Sequence, residues 1–151
     1  MSYSSAEGRA QLLQALGDAA DALGVAIAAL GDAYEQLDEH AGDRLEEALF
    51  RPVQTSYGRA QRVHAAFAER YGLPARTFAP GTAGRSTGAR GAVEQAVEAI
   101  RRADDELAAL QDSMLPVEVG DAEVRAGIAA VRELIGPLPG RARELIRTFG
   151  R

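Results

Sequence analysis

The chain contains no cysteine, no tryptophan, no lysine and no asparagine among its 151 residues. Without cysteine there can be no disulfide, no thiolate metal site and no cysteine nucleophile. Aromatic residues make up 5% of the sequence while alanine holds 31 positions. Small side chains with few aromatics favour closely spaced helices over a bulky β core. No segment alternates apolar and polar residues as a half-buried strand requires, so the fold class expected is all-α. Long hydrophobic runs are missing too. The longest, residues 22–31, spans ten residues, about half a membrane span. The N-terminal stretch MSYSSAEGRAQ lacks the basic and apolar regions of a secretory signal. Together these predict a cytoplasmic chain with no membrane span.

All 17 basic residues are arginine. Codons for lysine and asparagine are AT-rich, so a GC-rich genome explains their joint absence more simply than selection for bidentate phosphate recognition. Arginine identity is therefore silent, but arginine placement is not. Residues 1–50 carry ten acidic residues and two arginines, 51–90 one and seven, 91–140 ten and four, and 141–151 one and four. Alternating blocks of this kind suit neighbouring helices of complementary charge. The net charge of −5 argues against nucleic acid as a partner.

The strongest positive signal is a heptad repeat. Residues 15–21 read ALGDAAD, 22–28 ALGVAIA and 29–35 ALGDAYE, placing Leu16, Leu23 and Leu30 each before a glycine, Gly17, Gly24 and Gly31. A leucine every seven residues marks a helix packed lengthwise on others. Each glycine costs about 1 kcal/mol relative to alanine inside a helix. Their repetition at one heptad position predicts close approach of a neighbouring helix, with the stripe acting as a slot for Tyr71, Phe67, Tyr57 and Val53. Val25 and Ala28 complete an apolar ring around the middle of this helix. A helix apolar all round is buried on every side, and the extra face predicts a homodimer through Leu16, Gly17, Leu23, Gly24, Val25, Ala28, Leu30 and Gly31.

Periodicity and capping signals predict four helices, at about 5–40, 44–71, 89–114 and 122–149, joined into one domain over residues 1–151. The first opens with a capping box at Ser4-Ser5-Ala6-Glu7. It turns at Gly42, with Asp43 and Glu46 capping the next helix, or alternatively at Arg51-Pro52. Pro52 should kink the second helix. Residues 72–88 hold two prolines and four glycines and predict a flexible loop. The apolar phase of the last helix runs unbroken through Gly136-Pro137-Leu138-Pro139-Gly140, which predicts a proline-kinked helix or two short ones in line. The expected architecture is an antiparallel four-helix bundle, up-down-up-down, with a long 2–3 loop.

Chemistry-bearing residues are sparse. Glu35, Asp38, Glu39, His40, Asp43, Glu46 and Glu47 are metal-ligand types, but no Glu-x-x-His pair accompanies them, so the cluster reads as a solvated helix end. His64 has no serine, cysteine or acid at a catalytic spacing and reads as a structural histidine. No catalytic, cofactor or metal site is expected. Gly84-Arg85-Ser86-Thr87 departs from a Walker A motif, since arginine replaces lysine and no strand precedes it. Arg76, Arg85, Ser86, Thr87 and Arg90 form the one candidate anion site, beside a helix N-terminus. Arg143, Arg147 and Arg151 line the outer face of the tail helix. The function expected is non-enzymatic protein–protein contact with self-association. The alternative is a small-molecule or anion binder that uses the 72–90 loop or an interhelical cavity.

Overall fold

A computed structural model describes residues 4–82, 84 and 88–149, and among them the chain is all-helical with no strand. Helix α1 spans Ser5–Glu35, and Ser4 caps it by accepting the Glu7 amide at 3.1 Å. The chain then reverses at residues 36–38. Asp38 caps α2 (Glu39–Leu45), its Oδ1 accepting from the Ala41 amide at 2.8 Å. The turn thus lies at neither Gly42 nor Arg51. Gly42 is buried inside α2, where a Cβ would stand 3.2 Å from the Tyr34 ring. Its glycine serves close approach, while the capping is done by Asp38.

A π-helical turn, Glu46–Phe50, joins α2 to α3 (Arg51–Arg70) without a break, and the Arg51 amide reaches the Glu46 carbonyl. Pro52 lacks an amide hydrogen and would collide with the carbonyl four residues back in a regular helix. The wider turn immediately before it accommodates the ring. Gly72, at φ +65°, ends α3 in a Schellman arrangement, with the Leu73 amide donating to Ala68 O at 2.8 Å. After a segment outside any helix come α4 (Gly88–Asp112), the single-turn α5 (Leu115–Glu118), α6 (Ala122–Ile135) and α7 (Leu138–Ile146). The helix expected at 89–114 is α4, with α5 set off beyond it, and the run expected at 122–149 is two helices, one of the two forms its proline pair allowed. Left-handed Met114, φ 67°, ends the first run, and Gly136-Pro137 interrupts the second, where Pro137 and Pro139 have no amides to donate.

Contacts fix the directions of these elements. Tyr34 meets Gly42 at one end of the molecule, and Arg9 stacks on Tyr71 at the other, so α3 is antiparallel to α1. Gly8 touches Leu115 and Val119, so α4 also runs antiparallel to α1. Arg70 pairs with Asp121 and Gly127 abuts Val63, so α6 returns along α3. Hence α3 and α4 run in the same direction, which corrects the expected up-down-up-down order. Helix α4 is about 37 Å long, and the chain must climb that distance before starting it. Residues 73–82, outside any helix, cover part of that distance along α1, with Arg76 over Gly17, Ala79 and Gly81 over Gly24, and Gly81 against Val25. The segment expected to be a free loop is a strap.

The strap also corrects the reading of the glycine stripe. Gly17 is covered by the Arg76 guanidinium and Gly24 by strap backbone, with only the Tyr57 edge, 3.4 Å from a Gly24 Cβ, coming from a helix. Gly31 has nothing within 4 Å of a Cβ. Leu16, Leu23 and Leu30 enter the core, while Val25 and Ala28 are half-buried. Helix α1 is long and apolar enough to cross a bilayer by length and composition, and most of that stretch is buried here against α3, α4 and the strap.

Candidate functional site

Two regions carry polar groups that the fold alone does not explain. The first lies beneath the strap. Tyr57, Ala60, His64 and Phe67 share the α3 face turned to α1, spaced at helical intervals. His64 is 0% exposed, and neither Nδ1 nor Nε2 has a hydrogen-bond partner; the Tyr57 hydroxyl is also buried and unpartnered. Phe78 of the strap stands edge-on to the imidazole, with ring centroids 4.9 Å apart at 85°. Burial lowers the His64 pKa below its ordinary value, and the Arg76 cation lowers it further, against a smaller opposing pull from Asp21. Burial raises the Tyr57 pKa, helped by the Asp21 charge.

Arg76 pins the strap to α1. Its guanidinium bonds Asp21 Oδ2 at 2.5 Å, Asp18 Oδ1 at 2.9 Å and the Gln14 carbonyl at 3.0 Å. Gln14, Asp18 and Asp21 follow each other at four and three residues, one outward stripe of α1. Gly17 lies between them, and its missing side chain lets the guanidinium rest on the helix. Arg76 is thus engaged within the chain by Asp18, Asp21 and the Gln14 carbonyl. Arg85, Ser86 and Thr87 lie outside the described residues, and Arg90 is exposed on the first turn of α4.

The second region is a groove between α2–α3 and α6–α7. One part, about 700 Å³, has Arg51, Arg59 and Arg141 around an apolar floor of Pro52, Leu134 and Pro137. It continues, sharing Glu47 and Arg141, into a part of about 640 Å³ between Arg44, Ala48 and Leu145. Arg44, Arg51, Arg59, Arg62 and Arg141 make no ion pair or side-chain hydrogen bond among the described residues. Arg101, Arg102 and Arg143 are likewise unpaired among the described residues, whereas other arginines are held. Arg70 forks onto Asp121 at 2.8 and 2.9 Å, and Arg132 holds Asp104 at 2.8 Å. Burial tends to raise the Asp121 pKa, yet bonds from Arg70, the Val124 amide and Tyr71 hold it at about 2.

Sequence reading singled out His64 but not the chain segment that seals it, since Phe78 and Arg76 sit in a stretch with turn-like composition. The groove was also missed. Its arginines are visible only as an excess of charge in residues 51–90, and Arg141 joins them only in the folded chain. Among the described residues no three His, Asp or Glu side chains converge as metal ligands; Asp38, Glu39, His40 and Asp43 border an open depression. No protein-family model matches this chain, and no curated protein or solved structure resembles it.

Proposed function

We propose that the chain is a non-enzymatic helical-bundle protein of the cytoplasm that acts through protein–protein contact and associates with a second copy of itself through the groove on α2–α3. In this reading α1, α2–α3, α4 and α6–α7 are the four legs of the bundle, with neighbouring legs antiparallel and the last interrupted at its prolines. The observation that carries the proposal is the charge order along one exposed face of α2–α3. Asp43 and Glu47 occupy its first part, and Arg51, Arg59 and Arg62 its second. None of these arginines is paired among the described residues.

A helix carrying acid at one end and base at the other complements its own copy when the two lie antiparallel about a two-fold axis. With the axis between Arg51 and Thr55, Glu47 faces the partner's Arg59 and Asp43 the partner's Arg62. Exposed pairs contribute about 0.2–1 kcal/mol each, so they set the register of the contact, and the Ala48 and Pro52 floor adds apolar surface to it. The α1 face first expected to carry the interface is occupied by strap residues 79–81.

Charge exchange tests this. Light scattering at tens of micromolar and low ionic strength should report a dimer that weakens in high salt. Arg59→Glu should give a monomer, and Glu47→Arg combined with Arg59→Glu should restore the dimer. A monomer under all conditions, or a dimer indifferent to both changes, would overturn the proposal.

A further inference from the structure

We infer that residues 73–82 form a proton-released latch: the strap lies closed over α1 and α3 while His64 is neutral, and it lifts when His64 takes up a proton. Four observations converge on this. His64 is fully buried, so a charge placed on it has no water. Neither ring nitrogen has an acceptor to receive a new N–H. Phe78, a strap residue, supplies the wall of its pocket through an edge contact. Arg76, also of the strap, is the nearest cation and would repel an imidazolium. The groups facing His64 are therefore Arg76 from the strap, Asp21 from α1 and Tyr57 from its own helix. Asp21 is the one group that favours the charged ring, and it is already bonded to Arg76 at 2.5 Å.

Lifting the strap answers all of these at once. The ring gains water, Phe78 withdraws, and Arg76 moves away from the new charge. What otherwise holds the strap is modest. The Arg76 pairs reach water, with the Arg76 side chain 30% exposed and Asp21 53%, and such pairs contribute little. Within residues 73–82 the single hydrogen bond to another backbone group is Leu73 to Ala68, at the root. The sign follows from proton linkage. Histidine in the lifted strap titrates near its ordinary value and in the closed state below it. The lifted state binds more protons between those two values, and closure weakens as pH falls through the ordinary histidine range. Above that range the latch is indifferent to pH.

The absence of native cysteine makes the test direct. A thiol from Gly24→Cys lies beneath Ala79 and Gly81, where its Cβ meets only ordinary contacts of 3.4–3.5 Å. Exposed Ala129→Cys serves as the reference for thiol ionisation. Reaction with an aromatic disulfide reagent, expressed as the ratio of the two rates, should be flat from pH 8 to 7. Below that it should rise toward roughly tenfold per unit, the limit for one proton. In a His64→Phe background, which keeps a ring against Phe78, the ratio should stay flat; His64→Gln serves if the phenylalanine variant loses helical circular dichroism. The chain has only two histidines, and by proton NMR the His64 ring should titrate below the ordinary histidine value. A pH-independent ratio in the parent, the same rise without His64, a rise that accompanies loss of helix, or a His64 ring that titrates at or above the ordinary histidine value would each overturn the latch.

Discussion

Gly17, Gly24, Gly31 and Gly127 differ in what a methyl group would meet at each. At Gly31 there is open space, and at Gly24 contacts of 3.4–3.5 Å, so alanine should gain up to about 1 kcal/mol from helix propensity at either position. At Gly17 the methyl would occupy the place of the Arg76 guanidinium, and the gain should be cancelled by loss of the Asp18 and Asp21 pairs. At Gly127 a Cβ would lie 2.6 Å from Val63 Cγ2, and alanine should cost about 1–3 kcal/mol by overpacking. Denaturant unfolding of the four variants checks the order; a destabilised Gly31→Ala, or a neutral Gly127→Ala, would refute it. These positions also mark how far the sequence could be read. The heptad spacing marked a stripe of which Gly17 and Gly24 lie buried. It could not tell a strap from a helix as the cover, because small residues admit either. Gly127, where two helices approach closely, belongs to no repeat and left no signal.

At the scale of elements, the helices themselves were legible because apolar period and capping chemistry act locally. The start of α1 falls where Ser4 was expected to cap it, and α6 begins on the Asp121 cap. The first reversal was misplaced because Gly42 and Asp43 imitate an end and a start as well as Asp38 does, and choosing between them needs tertiary contacts. Only in the fold does Gly42 meet Tyr34 and Asp38 accept an amide. The choice is measurable. Asp38→Ala should cost about 1 kcal/mol as a lost cap, whereas Asp43→Ala, on the exposed face of α2, should change stability by less than about 0.5 kcal/mol. Equal costs, or a larger one at Asp43, would put the functional cap elsewhere. The π turn before Pro52 was not legible either. Its existence depends on Leu45 and Leu49 being held in the core on one side and Val53 on the other, so that the chain absorbs the proline by widening without breaking.

At the scale of the molecule, the direction of α4 follows from the strap. A short link after α3 would have forced α4 to run antiparallel to it, whereas a climb outside any helix lets α4 descend beside α1. That same climb gives α1 its third cover and makes the cover removable. Two modes of self-association are then distinguishable. At neutral pH the α2–α3 contact is made of exposed charges and should dissolve in salt. With the strap lifted, α1 presents Gly24, Val25 and Ala28 on a helix apolar through residues 22–31, and burial of apolar surface survives salt. We therefore expect light scattering in high salt to report a monomer at pH 7.5 and a larger species at about pH 6, still above the sequence pI of 5.1. His64→Phe, which barely alters net charge in this interval, should remain monomeric in high salt at both values. If it associates as the parent does, the acid-induced species owes nothing to the strap and reflects only the approach to the isoelectric point.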